Sequence, residues 1–269
     1  MCTRKTADPL VRTFLDKYGL NLLSIPRKEV QCGDLYVAQG SRVSTPGSMM
    51  YLLEPKPTLP AVVTDEALAD LKGIISGSVS TEIGLGLMEN LLTAFGASAI
   101  VQSLKAGYKS KRVSSIRFQF KNATRDHVDP LALGSAIKEC QLDGSHPFVV
   151  PGNTYFLVAG VVRTRSISVI ASDEQENAIE WDAGALQVAD VAGSLAVEKT
   201  AQGELTYTGK SKLAIGVELY ELRYDEQRHR FSLTTPENPP RIVRGSKRRA
   251  PLAPALLGGS EGDIFISPT

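Results

Sequence analysis

LAIGVELY, residues 213–220, is the stretch that indicates the fold class of this chain most directly. Large apolar side chains alternate with small or polar ones along it, which is the period-two pattern of a β-strand. A strand with one face on a hydrophobic core and one face toward water has this pattern. The wall of a strand-built membrane pore, with lipid on one face and water on the other, has it too. The pattern alone favours the sheet of a soluble protein.

Strand signals continue on both sides of this stretch. Residues 155–162 are an apolar run, and residues 163–170 extend it with serines alternating with apolar residues. Further apolar residues at 186–197 come before a polar turn at Ala201-Gln202-Gly203. Long alternating segments joined by polar turns predict antiparallel hairpins.

The first half of the chain predicts helices as well as strands. Asp8-Pro9 is typical of a helix start, and Tyr18-Gly19 of a helix end. Strands are predicted at 20–25, where Pro26 stops the run, and at 35–37, 49–53 and 116–120; another helix is predicted at 130–140. This mixture predicts an α+β fold with a twisted, mainly antiparallel central sheet and surrounding helices.

The longest apolar stretch runs from Ile83 to Leu104 and has helical spacing. Its length is sufficient for a membrane-spanning helix. Glu89 and Asn90 lie near its middle, and a central carboxylate costs about 2.5–3.5 kcal/mol on membrane insertion. A helix buried against the sheet is therefore the favoured prediction.

Composition is that of an ordinary globular protein. The 269 residues allow one large or two small domains, and a hydrophobic content of 42% can supply a core. Three widely spaced cysteines, without a CxxC pair, are typical of a reducing compartment. The N-terminus has no hydrophobic signal segment, so the chain is expected to be made as a soluble cytoplasmic protein.

No pattern predicts catalysis, a metal site or a cofactor. His127, His146 and His229 lack ligand spacing and are expected in exposed loops. Gly84 and Gly86 form only a G-x-G, which favours helix packing over dinucleotide binding. We therefore expect a protein that is not an enzyme.

Two other features leave alternatives open. Lys105, Lys109, Lys111 and Arg112 follow the apolar stretch and could bind nucleic-acid phosphates or anionic lipid headgroups. No recognition motif accompanies them. Cys2, beside Arg4 and Lys5, suits lipid attachment but is also compatible with an ordinary terminal thiol.

The end of the chain has two parts. Residues 241–250 carry five cations and no anion, which is typical of an exposed linker that a protease can cut. An apolar piece follows, too short to bury enough surface by itself. These features predict a main domain at 1–240 and a detachable segment at 241–269 that docks on it as a plug.

Taken together, the chain resembles the bacterial gasdermins, short relatives of the animal pore-forming gasdermins. The resemblance is carried by Cys2, by Asp8-Pro9-Leu10, by YGLNLLSIPR at 18–27, by the Gly-rich 83–104 segment and by the later strands in order. It implies a gasdermin N-terminal-domain-like fold and an autoinhibited monomer. Its activation by proteolysis would kill the phage-infected cell in a pyroptosis-like death, as antiviral defence.

The resemblance also implies roles for particular residues. Cys2 is expected to carry a palmitoyl group, and 71–121 and 180–224 are expected to refold into membrane hairpins. Lys105, Lys109, Lys111 and Arg112 would contact membrane lipids. The expected tail contacts are Leu256, Leu257, Ile264, Phe265 and Ile266.

A caspase-like or trypsin-like protease is the implied activating partner. Arg244, Lys247, Arg248 and Arg249 suit a trypsin-like enzyme, and Leu252, Leu256 or Leu257 suit an apolar specificity pocket. The protein would be cytoplasmic when inactive and form a ring in the inner membrane after cleavage. The alternatives are a membrane-surface lipid-binding or scaffold protein and a nucleic-acid-binding module; the expected partners include no nucleic acid.

Overall fold

A computed structural model describes residues 9–39, 42–76, 81–95, 102, 104–106, 113–149, 153–179, 195–200, 202–225 and 230–234. The helices named among these residues are α1 (Pro9–Tyr18), α2 (Thr81–Ala94) and α3 (Pro130–Ile137), Met49–Tyr51 forms a 3₁₀ turn, and residues 102 and 104–106 are also helical. The strands are β1 (Asn21–Arg27), β2 (Asp34–Gln39), β3 (Arg42–Ser48), β4 (Leu53–Glu54), β5 (Val63–Ala67), β6 (Leu71–Ser76), β7 (Ser115–Lys121), β8 (Thr124–His127), β9 (Gln141–Leu142), β10 (Thr154–Ser172), β11 (Leu195–Lys199), β12 (Leu205–Asp225) and β13 (Arg230–Thr234).

Two long strands form the middle of the sheet. β10 and β12 pair antiparallel from Tyr155 opposite Leu222 to Val169 opposite Leu205, with three irregularities in register. Each irregularity adds local twist and bends the strands. The predicted runs at 155–162 and 163–170 are therefore one continuous strand.

Shorter strands lie end to end along each side of this central pair. β2, β8 and β7 follow one another along β10, whereas β13, β1 and β11 follow one another along β12. β3, β5 and β6 then pair with β2, β8 and β7. Every one of these pairs is antiparallel, which confirms the predicted α+β class with a mainly antiparallel sheet.

The 213–220 stretch has a core on both of its faces rather than on one. Leu213 and Ile215 belong to one buried cluster, and Ala214 and Val217 to another. The prediction of a water-facing side is therefore wrong for residues 213–217, all of which are buried. Small side chains such as Ala214 reflect close packing on the second face.

The first helix is confirmed at its predicted end. Gly19 has a φ of +67°, and its N–H donates to the Leu15 carbonyl at 2.9 Å. This left-handed residue closes the last helical turn. Phe14 on the buried face of α1 stacks on Phe118 of the sheet, with ring centroids 6.0 Å apart.

Three predicted boundaries are corrected. Pro26 does not stop β1, because it lies in a bulged stretch between the paired residues Leu22 and Arg27, where no ladder N–H is required. Met49 begins a 3₁₀ turn instead of a strand, and the strand before it at 42–48 was not predicted. α2 is described to Ala94, and of the predicted remainder only 95, 102 and 104 are described.

Close packing of β6 leaves no room for a side chain at Gly73. A Cβ there would lie 2.8 Å from Leu10 Cδ1 and closer still to the Phe118 ring, whereas a Cβ on Gly86 of α2 meets nothing within 4 Å. We predict that Gly73→Ala lowers the free energy of unfolding by about 1–3 kcal/mol through overpacking. Gly86→Ala should raise it by about 0.5–1 kcal/mol through helix propensity. Urea unfolding of both variants measures the difference, and equal effects would contradict the packing.

Candidate functional site

One end of the sheet has two chemically different faces. It consists of β6, β7, β10 residues 166–172, β12 residues 205–209 and β11, and is called the five-strand end below. One row of aligned residues crosses its apolar face: Leu71, Phe120, Ile167, Tyr207 and Val197. The next row contains Gly73, Phe118, Val169 and Leu205 and ends on β11 at the exposed Lys199. The apolar surface therefore spans β6, β7, β10 and β12 in both rows and reaches β11 at Val197.

Helices α1 and α2 cover this apolar face. Among the α2 side chains that the structure describes, Met88, Leu91 and Leu92 are buried, and Phe95 follows directly; all four join the same cluster as the sheet residues. The central part of the predicted 83–104 helix is thus packed against the sheet, as expected. Within the described part of the chain, no helix is long and apolar enough to cross a bilayer.

The opposite face of the five-strand end is polar. One row crosses it as Lys72, Gln119, Ser168, Thr206 and Glu198. Lys121 Nζ lies 2.7 Å from the Glu204 carboxylate, and Thr208 donates a hydrogen bond to Ser166 Oγ at 3.1 Å. Small hydroxyl side chains and charged groups thus occupy most of the face that α1 and α2 leave uncovered, which also carries Ile74, 57% exposed, opposite Arg117.

A charged cluster lies next to the five-strand end, in the middle of the sheet. Arg125 of β8 contacts Glu218 of β12 at 2.6 Å, and Lys212 of β12 contacts Asp65 of β5 at 2.5 Å. The hydrogen bond from Lys212 lowers the pKa of Asp65 below its ordinary value. Desolvation acts to lower the pKa of Arg125, but the hydrogen bond and charge of Glu218, aided by Glu66, raise it overall.

Arg163 is the most enclosed cation of this cluster. Its side chain is 14% exposed, and its Nε donates to Asp126 Oδ2 at 2.9 Å. The guanidinium also donates to the Lys28 carbonyl at 3.1 Å and to the Val30 carbonyl. One side chain of β10 therefore fixes both β8 and the loop after β1.

Sequence reasoning missed this cluster, because its charges come from strands far apart in the chain. Arg163 offered the only local signal, a charged residue within a long apolar run, which indicates a paired buried ion. His127 was expected in an exposed loop, but it lies half-buried on β8, with Nδ1 3.4 Å from the Glu66 carboxylate. His146 does lie in a loop, and His229 lies outside the described residues.

Among the predicted membrane-contacting cations, only Lys105 is described. Its Nζ lies 2.5 Å from Glu89 of α2, and both side chains are about one-third exposed. The carboxylate that argued against membrane insertion of the 83–104 segment is therefore paired. Cys2, Lys109, Lys111, Arg112 and the predicted cleavage and tail residues of 241–269 lie outside the described residues.

Cys32 is the described thiol nearest the charged cluster. Its Sγ donates to the Asp126 carbonyl at 3.4 Å, and burial raises the thiol pKa to about 11. Such a thiol is protonated at neutral pH and unreactive. In the described ranges no three His, Cys, Asp or Glu side chains lie together as a metal site would require.

Comparison with known proteins identifies the family of this chain. The model of the Bacterial Gasdermin Family matches residues 23–230. The chain belongs to the bacterial gasdermins. This confirms the resemblance on which the sequence interpretation relied. Bacterial gasdermins are pore-forming proteins and not enzymes.

Individual gasdermins resemble the chain over most of its length. Gasdermin bGSDM of Vitiosangium sp. (strain GDMCC 1.1324) is 29% identical over 223 residues, covering 80% of this chain and 81% of the relative. Gasdermin bGSDM of Lysobacter enzymogenes is 21% identical, covering 83% of each chain. The structure of a bacterial gasdermin from Bradyrhizobium tropiciagri shares the fold, with a TM-score of 0.61 at 18% identity, covering 87% of this chain and 93% of that one.

Arg163 should contribute more to the stability of this gasdermin than its neighbour Arg165, which is exposed on the same strand. We predict that Arg163→Met lowers the free energy of unfolding by about 1.5–3 kcal/mol, because it leaves Asp126 without its charged partner. Arg165→Met should change it by about 0.5 kcal/mol or less. Both are measured by urea unfolding. Similar losses in the two variants would mean that the enclosed ion pair has no special role.

Proposed function

We propose that this gasdermin is an autoinhibited pore-forming protein of bacterial antiphage defence. Proteolytic removal of its C-terminal tail would release a domain that assembles into large membrane pores and kills the infected cell. The observation that carries the proposal is the five-strand end, whose apolar face is covered by helices instead of by lipid. The same face would suit a bilayer once those helices moved.

The refolding regions proposed by family resemblance, 71–121 and 180–224, contain the paired strands that hairpins would extend. β6 with β7 and β11 with β12 are antiparallel neighbours already. Lipid offers no partner for a free N–H or carbonyl, so membrane strands have to join a closed ladder. Insertion would therefore be coupled to assembly with other copies.

Conversion of the 83–104 segment would break specific contacts. The α2 side chains would leave the sheet, each fully buried one being worth about 1.5–3 kcal/mol. The Lys105–Glu89 pair would also separate. Lipid contacts for the exposed apolar face, and about 1 kcal/mol for each of Lys105, Lys109, Lys111 and Arg112 at anionic headgroups, would offset these losses.

We propose that the C-terminal tail holds the pore-forming domain in its inactive state. Residues 241–250 would be the exposed linker, cut by a caspase-like or trypsin-like protease at or near Arg244, Lys247, Arg248, Arg249, Leu252, Leu256 or Leu257. Leu256, Leu257, Ile264, Phe265 and Ile266 would anchor the plug on domain 1–240. A few apolar side chains bind weakly, but the tether gives them a high local concentration. Cutting the linker would let the plug leave.

Cys2 would be the site of a covalently attached palmitoyl group. No cofactor is expected. The monomer would be cytoplasmic before cleavage, and the ring would lie in the inner membrane afterwards. One acyl chain gives only marginal membrane binding. The palmitoyl group would therefore add to the membrane binding of the hairpins but could not replace it.

Cleavage of the linker in the full-length protein should convert an inactive protein into one that permeabilises membranes. We predict that full-length protein, with a site-specific protease sequence inserted after Arg249, releases dye from anionic liposomes only when that protease is added. Release of the plug would allow α2 to leave the apolar face that it covers, which is the physical reason. Fluorescence dequenching gives the rate, and the unmodified chain with the same protease is the control.

Binding of the cut protein to intact, dye-retaining vesicles would contradict the pore and favour a membrane-surface lipid-binding or scaffold protein. Salt-sensitive retention on DNA or RNA would favour the nucleic-acid module instead.

Lipidation of Cys2 has an independent test. We predict that intact-mass analysis of protein from a bacterial host shows one added acyl chain of about C16. Cys2→Ala should abolish the added mass, whereas Cys32→Ser should retain it, because the Cys32 thiol is largely enclosed and protonated. If the wild-type protein has its unmodified mass, Cys2 is an ordinary thiol. That result would not contradict the proposal that the protein forms pores.

A further inference from the structure

Tyr207 of β12 places a polar atom inside the apolar face of the five-strand end. Its side chain is fully buried, in the same cluster as Phe120, Ile167 and the α2 residues. The hydroxyl oxygen is closed off from solvent, and no described residue forms a hydrogen bond with it. Burial raises the pKa of Tyr207 above its ordinary value, so the group stays a neutral phenol. This hydroxyl therefore lacks the partner that usually compensates a buried polar group for the loss of water.

Two other tyrosines show the usual arrangement. The hydroxyl of Tyr155, which lies outside the five-strand end, donates to the Phe148 carbonyl at 3.2 Å. Tyr18 of α1 packs against the same cluster as Tyr207, and its hydroxyl accepts a hydrogen bond from the Lys72 N–H at 3.1 Å. Tyrosines keep such partners because leaving a buried hydroxyl unpaired costs more than one hydrogen bond contributes. Tyr207 differs from both.

The cover over this part of the sheet comes from α2 and the residue that follows it. Gly209 lies two residues beyond Tyr207 on the same face of β12, and a Cβ built on it would be 3.9 Å from Phe95 Cδ1. Met88 and Leu92 of α2 belong to the same cluster. These side chains exclude water and have no oxygen or nitrogen to offer. The Tyr207 hydroxyl therefore stays unpaired for as long as α2 stays in place.

We propose that the unpaired Tyr207 hydroxyl destabilises the helix-covered form and thereby lowers the energy needed to release α2, an inference that rests on the proposed function. Once α2 has left, the hydroxyl would reach water or lipid headgroups and form hydrogen bonds again. A tyrosine suits the boundary between hydrocarbon and water, since its ring is apolar and its hydroxyl is polar. The penalty thus falls on the inactive form and is relieved on release.

The first test compares Tyr207→Phe with Tyr155→Phe, which remove the same hydroxyl from two buried tyrosines. In urea unfolding of the uncut full-length chain, Tyr207→Phe should raise the midpoint by about 0.5 M, because it removes a buried polar group that has no partner. Tyr155→Phe should lower the midpoint, because it removes an existing hydrogen bond. The two variants should therefore shift the midpoint in opposite directions.

The second test measures release of α2 in the same two variants, each carrying the protease sequence after Arg249. After cleavage, Tyr207→Phe should release dye from anionic liposomes about fivefold more slowly than wild type, because its helix-covered form is more stable. Tyr155→Phe should not be slower than wild type, since its hydroxyl lies outside the five-strand end.

An unchanged or lowered urea midpoint in Tyr207→Phe would overturn the inference, because the hydroxyl would then be compensated in the folded protein. A raised midpoint with an unchanged rate of dye release would overturn it too, because the hydroxyl would then have no effect on the release of α2. Absence of dye release from cleaved wild-type protein would instead count against the pore-forming proposal. The urea midpoints would in that case still decide whether the hydroxyl destabilises the fold.

Discussion

Backbone hydrogen bonds between β10 and β12 are the constraint on which the rest of the structure depends. Every other strand of the large sheet reaches the centre through one of these two, directly or through one intermediate strand. Because the pair is long, each side accommodates a succession of three short strands. Those strands divide the sheet into zones with different neighbours: the five-strand end under α1 and α2, the charged cluster, and the β2–β13 end.

Position along the central pair decides what each zone can do. At the charged cluster, side-chain pairs such as Arg125–Glu218 join β12 to β8 across β10, and Lys212–Asp65 reaches β5 beyond. These bonds reinforce a backbone ladder that is already complete. At the five-strand end the cover is helical, and helix α2 contributes side-chain burial but no ladder hydrogen bonds. A helix can leave such a surface without opening the sheet, whereas a strand of the cluster cannot.

Local pattern predicted the elements well wherever one face of a segment differed from the other. α1, β7 and α3 were found because each has a clear periodicity together with a cap or turn residue. β3 was missed because RVSTPGS has neither large apolar residues nor alternation, and its pairing with β2 alone makes it a strand. The same limit applies to the charged cluster: Asp65, Arg125 and Glu218 meet only after three separate strands have paired.

The ambiguity of LAIGVELY, soluble sheet or pore wall, has a physical origin. A hydrophobic core and a bilayer interior are similarly apolar, so a strand that faces either one needs the same side chains. Sequence alternation therefore reports that at least one face is dry, and it reports neither what keeps that face dry nor, as at 213–217, that the other face is buried too. In the five-strand end the dry face is closed by α1 and α2, and the wet face carries Lys72 and Arg117. A sheet with this division can keep its side chains and pairing while the material against its dry face is exchanged. Under the proposed function, exchanging the cover of one apolar surface would let a single sequence serve as a folded monomer and as a membrane assembly.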